Sequence, residues 1–136
     1  MFVVIVCGSR GFWSVAPIAD YLSELKDRYG DSLVVRHGGA GGVDSIAHGV
    51  CGLMGIATDV MPADWARFGK GAGQQRNLAM LRGSAEYGRA DAVIGFWDGQ
   101  SRGTRHMMDA ALHAGLPVAV VRESGERFYR TPSVAA

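Results

Sequence analysis

Residues Leu33 to Asp44 read LVVRHGGAGGVD, and this stretch decides the fold class. Its first part, Leu33 to His37, is typical of a short buried strand, because β-branched residues suit a pleated surface. Four of the five residues that follow His37 are glycine, and an apolar pattern with helical spacing begins at Val43. A strand, a glycine-rich loop and a helix in this order are typical of a unit that presents its loop to a ligand.

The same alternation of strands and helices extends along the chain on both sides of this stretch. Apolar β-branched runs predict strands, and apolar residues at i, i+3 and i+4 predict helices. The expected strands are 2–7, 33–37, 56–61, 91–97 and 117–121, and the expected helices are 15–29, 43–54, 74–87 and 104–113. Residues 62–73 show no clear period, so we expect a long loop there. The pattern predicts a Rossmann-like three-layer α/β/α sandwich with about five parallel strands.

The length and composition are those of a globular domain. The chain has 136 residues, of which 48% are hydrophobic and 20% are charged, and this balance argues against disorder. We expect one ligand-binding domain over residues 1–121. Residues 122–136 are polar and without a period, and we expect a C-terminal tail that is flexible or packs on a partner subunit. The apolar helix faces permit a homo-oligomer, a dimer or larger, and we expect one.

The charge and the cysteines exclude several classes of function. A formal net charge of +1 supplies no broad field to attract nucleic acid or an acidic membrane. No apolar run approaches the ~20 residues that span a membrane, and residues 1–7 lack a basic leader, so we expect a cytoplasmic location. Cys7 and Cys51 have apolar neighbours, which favours reduced core thiols over a disulfide framework.

The sequence has no motif for a metal or for a common cofactor. Its four histidines have no cysteine or carboxylate partners at zinc-ligand spacing. No Walker lysine follows the glycine loop, no GxGxxG fingerprint follows the first strand, and no serine lies in a nucleophile elbow. We therefore expect neither a metal nor a cofactor.

The glycine loop, residues 38–42, is the first of three loops that we expect to line a pocket at the carboxyl ends of the strands. Glycine permits positive φ and close approach of the backbone to a ligand. The next helix presents unpaired N–H groups and a partial positive charge, which suit a phosphate. Asp44 is expected to cap this helix or to accept from a ribose hydroxyl; a tight turn without a ligand is the alternative for the loop. The candidate binding residues here are His37, Gly38, Gly39, Ala40, Gly42 and Asp44.

Two further loops and the long loop complete the predicted site. The loop after the first strand offers hydroxyl and backbone donors for a phosphate or a sugar. After the fourth strand, Trp97 is expected to stack on a base or to pack at the rim, and Thr104 is expected to cap the next helix. Cations of the long loop predict an anion clamp, with a solvated surface as the alternative. The candidate binding residues in these segments are Gly8, Ser9, Arg10, Asp64, Trp65, Lys70, Arg76, Asn77, Trp97, Asp98, Ser101, Gly103 and Thr104.

Taken in order, these motifs resemble the YspA-type branch of the SLOG superfamily, which is related to the LONELY GUY phosphoribohydrolases and to DNA-processing protein A. The resemblance covers about residues 2–121. It implies a Rossmannoid sheet and a pocket for nucleotides or nucleotide-derived ligands, in proteins that are either enzymes or sensors. The matching segments are GSR at 8–10, HGGAxGxD at 37–44, PADW at 62–65, GK at 69–70, AG at 72–73, RN at 76–77, Met80 and WDGxSxGTxHM at 97–107.

The related phosphoribohydrolases cleave the N-glycosidic bond of a nucleoside monophosphate and carry the signature GGxGTxxE. Gly103 and Thr104 match its Gly-Thr, but Met107 stands where the resemblance implies a catalytic glutamate. Methionine supplies no acid–base chemistry, so Asp44 and Asp98 are the candidate catalytic residues. Two alternatives to this nucleotide-binding hypothesis stay open. One is a single-stranded nucleic-acid-binding module, which the near-neutral charge disfavours, and the other is an interaction domain with a vestigial pocket.

Overall fold

The computed structural model describes residues 1–132, which form one six-stranded sheet flanked by helices. The strands are β1 (Phe2–Gly8), β2 (Leu33–His37), β3 (Ala57–Val60), β4 (Ala92–Phe96), β5 (Val118–Val121) and β6 (Arg127–Arg130). The helices are α1 (Val15–Tyr29), α2 (Val43–Met54), α3 (Trp65–Phe68), α4 (Ala72–Arg82) and α5 (Arg102–His113). The strand order is β3-β2-β1-β4-β5-β6, and every neighbouring pair is parallel except β5 with β6. The predicted Rossmann-like α/β fold is confirmed.

Side chains of β1 alternate between two hydrophobic cores, one on each face of the sheet. Val4 lies in the core that α1 and α2 cover, and Ile5 lies in the core that α4 and α5 cover. Helix α2 packs so close to β1 that a Cβ at Gly8 would collide with the side chain of Val43. Both faces are thus covered, and the loops gather at the carboxyl edge of the sheet. Among the described residues, no helix is both long enough and apolar enough to cross a membrane.

Residues 62–73, expected to be a loop, contain helix α3 and a 3-10 turn over Gly69–Gly71 before α4 begins at Ala72. The Asp64 side chain caps α3 by accepting from the Arg67 N–H at 3.1 Å. A helix of four residues is too short to show a hydrophobic period, which explains why the sequence did not predict it.

The turn after α4 is held by Arg36, which is fully buried on β2. Its guanidinium donates to the carbonyl of Met80 at 2.7 Å and to the carbonyl of Gly88 at 2.6 Å. Gly83 has a φ of +112°, and a Cβ there would collide with the backbone of Gly88. Helix α4 therefore stops before Gly83 and does not reach residue 87 as expected.

The C-terminal segment adds β6 to the sheet of its own chain, antiparallel to β5. The sequence had predicted no element after residue 121, only a tail that is flexible or packs on a partner. Arg127 forms an ion pair with Glu24, and its guanidinium lies 4.2 Å from the centroid of the Tyr21 ring, so α1 holds the strand in place. Residues 133–136 of the expected tail lie outside the described residues.

Candidate functional site

The strand order reverses direction between β1 and β4, and the loops that follow these two strands line the candidate site. From β1 the chain continues to β2 and β3, and from β4 it continues to β5 on the other side. Open α/β sheets bind ligands at such a switch point. The Ser9 hydroxyl, fully buried, accepts from the Asp98 N–H at 3.0 Å, and the Ser9 N–H donates to the carbonyl of Phe96 at 3.0 Å. The structure thus brings the predicted residues Ser9 and Asp98 together.

The glycine loop folds around the carboxylate of Asp44. Asp44 Oδ2 accepts from the N–H of Gly38 at 3.1 Å and from the N–H of Ala40 at 3.2 Å. Burial raises the pKa of Asp44, although the two N–H groups and the Arg76 guanidinium act in the opposite direction. The loop therefore binds an anion at these two N–H groups, and that anion is the protein's own Asp44 carboxylate. A phosphate cannot take the same N–H groups while Asp44 holds them.

His37, at the end of β2, forms a hydrogen-bonded pair with His48 of α2. The Gly39 N–H donates to His37 Nδ1 at 3.0 Å, so the proton of the neutral ring is on Nε2, which lies 3.0 Å from His48 Nδ1 and donates to it. Burial, followed by the charges of His48 and Arg76, lowers the pKa of His37 to about 4. A protonated Nε2 is not a metal ligand. In the part of the chain that the structure describes, no three His, Cys, Asp or Glu side chains form a possible metal site.

Arg76 and Asn77, in the first turns of α4, connect the glycine loop to α5. Arg76 donates from Nη1 to the carbonyl of Gly38 at 3.0 Å and from Nε to Asn77 Oδ1 at 3.1 Å. Because a guanidinium only donates, the amide oxygen of Asn77 faces Arg76. Its Nδ2 therefore donates to the carbonyl of Gly103 at 3.4 Å and to His106 Nδ1 at 3.1 Å. These bonds bring together four predicted residues from three separate segments of the chain, Gly38, Arg76, Asn77 and Gly103.

The loop between β4 and α5 is shaped by its own side chains. Asp98 Oδ1 accepts from the N–H groups of Gln100 at 2.8 Å and Ser101 at 2.9 Å, and these bonds lower the pKa of Asp98. Ser101 caps α5 by accepting from the Thr104 N–H at 3.4 Å. The interpretation of Thr104 as the cap was wrong, because Ser101 is the cap and Thr104 is the third residue of the helix and is buried. Trp97 Nε1 donates to the carbonyl of Ser101 at 3.0 Å, and its ring packs at the rim of the core.

Four predicted residues lie at the surface around these loops. Asp64 caps α3, and Arg10, Trp65 and Lys70 are exposed. The backbone of Arg10 lies beside the glycine loop: a Cβ built at Gly42 would be only 3.5 Å from Arg10 Cα. The structure thus places Arg10 next to the candidate site and leaves Trp65 and Lys70 on the exposed segment that precedes α4.

Comparison with known proteins identifies the family. The gene 61 protein of Mycobacterium phage D29 is 39% identical to this chain over 120 residues, which cover 85% of this chain and 92% of the relative. Residues 2–68 match the family model described as the YspA, cpYpsA-related SLOG family. This chain belongs to that SLOG family. Membership indicates a nucleotide-related ligand in general terms. The matched residues of this SLOG protein include the loops after β1 and β2.

Two clefts of about 410 Å³ each open beside the loops of this SLOG protein. The first lies over the histidine pair and is lined by His37, Gly39, Ala40, Ser45, His48 and Val60. The second lies along α4, and Pro62, Asp64, Phe68, Ala72, Gln75, Arg76, Ala79, Arg82 and Gly83 line it. The first cleft lies at the carboxyl ends of β2 and β3 beside α2, and the second lies between the segment after β3 and α4.

Three residues at the site were not selected from the sequence. His48 follows Asp44 by one helical turn, so helical spacing places both on one face of α2. This spacing could have been recognised in the sequence. His106 forms part of the motif at 97–107, but its bond to Asn77 required the tertiary structure. Cys7 lies at the end of β1, and burial and the charge of Asp44 raise the pKa of its thiol well above the ordinary value. Cys7 therefore stays a thiol and is not an activated nucleophile.

Proposed function

We propose that this SLOG protein binds a nucleotide or a nucleotide-derived phosphorylated ligand at the carboxyl edge of its sheet. The observation that carries the proposal is a set of hydrogen bonds that ties three loops from distant parts of the chain into one cradle. These bonds join Ser9 to Asp98, Gly38 to Arg76, and Gly103 to Asn77. A cradle held by the protein's own bonds loses little freedom when a ligand enters. Family membership supports a nucleotide as the ligand class.

The phosphate is assigned to the loop between β4 and α5. The N–H groups of Gly38 and Ala40 are bonded to Asp44, which leaves the first turn of α5 as the better anion site. There Arg102 and Gly103 are exposed residues, and the helix N-terminus carries a partial positive charge. The Arg102 guanidinium adds a full positive charge beside it.

The ribose is assigned to Asp44, in keeping with its proposed role as an acceptor from a sugar hydroxyl. Both loop bonds go to Oδ2, so the hydroxyl would donate to Oδ1. This arrangement extends the ligand from the α5 N-terminus toward the glycine loop, across the ends of β4 and β1. Asp44 would then hold the loop closed and recognise the sugar at the same time.

Binding, as in a nucleotide sensor, is proposed over hydrolysis. Met107, at the position of the glutamate in the related hydrolases, is fully buried in the core between α5 and the sheet. The carboxyl of Asp98 has a lowered pKa and is bonded to two N–H groups, so it is a poor proton donor at neutral pH. Asp44, with its raised pKa, is the better acid–base group of the two candidates.

The test is isothermal titration calorimetry with AMP, GMP, CMP and UMP. We expect saturable binding of at least one nucleotide and a loss of about tenfold or more in affinity in Gly103→Asp, because a carboxylate beside the helix N-terminus repels phosphate. A Cβ at Gly103 meets open space, so the variant should fold. Gly52→Asp is the matched control, since a Cβ at Gly52 on α2 also meets open space.

The same samples distinguish binding from catalysis. After long incubation at high protein concentration, chromatography is expected to recover the nucleotide intact. Release of free base that disappears in Asp44→Asn would establish hydrolysis instead of simple binding. If none of the four nucleotides binds, or if Gly103→Asp and Gly52→Asp bind alike, the proposed site is contradicted.

A further inference from the structure

The second cleft, between α3 and α4, shares only Asp64 and Arg76 with the site described above. One wall comes from the segment after β3, with Pro62, Asp64 and Phe68, and the other is one face of α4. Its volume of about 410 Å³ is within the range of small-molecule sites. The cleft therefore has room for part of a ligand that the loops alone would not hold.

The lining of this cleft combines a flat apolar ring with polar groups. Phe68 is 42% exposed and lies outside both buried cores. The Arg67 guanidinium lies 5.0 Å from the centroid of its ring, so a ligand ring would stack on the other face of Phe68. Ala72 and Ala79 of α4 also line the cleft, and their side chains are small. Gln75 is exposed at the same cleft, and its carboxamide both donates and accepts, as the edge of a nucleobase does.

Arg76 joins this cleft to the proposed ribose position. Its side chain lines the cleft, while its Nη1 donates to the carbonyl of Gly38 and its Nε donates to Asn77. Gly38 in turn donates its N–H to the carboxylate of Asp44. A group bound in the cleft is thus separated from the sugar-binding carboxylate by one arginine side chain and one glycine.

We infer that the α3–α4 cleft receives the base of the bound nucleotide, with the ring stacked on Phe68 and its edge hydrogen-bonded to Gln75. This inference rests on the proposed function. It predicts that the protein binds ligands with a planar heteroaromatic ring more tightly than the corresponding sugar phosphate. It also makes Phe68 and Gln75 residues of base recognition, distinct from the residues that hold the phosphate and ribose.

The experiment compares AMP, GMP, CMP and UMP with ribose 5-phosphate by calorimetry. Phe68→Ala is expected to weaken binding of the preferred nucleotide about tenfold, the usual effect of removing a stacking ring. Gln75→Ala is expected to reduce the preference among the four bases. Neither substitution should change the affinity for ribose 5-phosphate.

Two control variants match these changes. Phe128→Ala removes a ring of similar exposure, 48%, from β6 at the opposite edge of the sheet. Gln74→Ala removes an exposed carboxamide one residue away on α4, outside the lining of the cleft. Both controls should bind every probe as the unaltered chain does.

The outcomes separate this inference from the proposed function. If ribose 5-phosphate and the nucleotides bind the unaltered chain equally, or if Phe68→Ala and Gln75→Ala bind nucleotides normally, the base subsite is overturned and the phosphate site stands. If the unaltered chain binds neither ribose 5-phosphate nor any nucleotide, the proposed function fails, and the base subsite fails with it.

Discussion

Position 38 requires glycine because a neighbouring side chain fills the space of a Cβ, and not because of its backbone conformation. Its φ is not positive, so the backbone there would accept other residues. A Cβ at this position would instead occupy the place of Arg76 Nη1. Because the obstructed atom is the end of a flexible side chain, the guanidinium can move aside. That movement would break the hydrogen bond from Arg76 to the Gly38 carbonyl, which links the glycine loop to α4.

Replacing Gly38 with alanine is expected to lower the free energy of unfolding by about 1 kcal/mol, the usual net value of one hydrogen bond. It should also weaken nucleotide binding, because Arg76 would no longer hold the loop. Urea denaturation with and without nucleotide measures both effects. Gly41→Ala is the control, since a Cβ at Gly41 in the same loop meets open space. Equal effects of the two substitutions would contradict the role given to Arg76.

Among the elements, β6 depends on contacts with the rest of the molecule. Its four residues, RFYR, contain two exposed aromatic side chains, Phe128 and Tyr129. Backbone pairing with β5 sets its register, and the contacts of Arg127 with Glu24 and Tyr21 on α1 fix one end. An exposed ion pair and a cation–π contact each contribute about 1 kcal/mol or less. Such an element should loosen before the molecule unfolds.

Replacing Arg127 with alanine is therefore expected to reduce hydrogen-exchange protection in β6 and leave the global stability within about 1 kcal/mol of the unaltered chain. Hydrogen exchange followed by mass spectrometry measures the first effect, and urea denaturation measures the second. Arg130→Ala removes an exposed arginine from the same strand and should leave protection in β6 unchanged. Protection that survives in Arg127→Ala would show that pairing with β5 suffices.

For the whole molecule, His37, which is hydrogen-bonded to His48, couples stability to pH. His37 accepts from the Gly39 N–H, so its neutral form is the one that the fold requires. Its pKa is about 4 in the folded protein against an ordinary value of 6.5, and His48, Arg76 and Asp59 are the charged or titratable groups that act on it. The unfolded chain thus binds the proton more tightly. The contribution of His37 is complete above pH 6.5 and is lost as the pH falls toward 4.

The free energy of unfolding is accordingly expected to fall between pH 6.5 and 4, by up to about 3 kcal/mol from this residue. Urea denaturation at a series of pH values measures the slope. His37→Gln lacks the titrating group, so the difference between the two slopes isolates its effect from that of Asp44, whose raised pKa acts in the opposite direction. Parallel slopes would contradict the neutral buried state of His37.

Local patterns in the sequence were enough to predict most of the element order. Periodicity predicted α1, α2, β2 and the buried strands β1 and β4, and glycines marked the loops that meet at the carboxyl edge. The short helix α3 and the end of α4 were not predicted. The first is too short for a period, and the second depends on the contact of Gly83 with Gly88.

The sequence by itself determined a Rossmann-like sheet with glycine-rich loops at its carboxyl edge, because apolar spacing and glycine content are properties of neighbouring residues. Only the tertiary structure decided which groups those loops bind. It placed the Asp44 carboxylate on the loop N–H groups, Arg76 against Gly38, and Phe68 beside α4 in an open cleft. The Arg76 and Phe68 placements depend on packing between separate elements, and hydrophobic periodicity carries no information about such contacts.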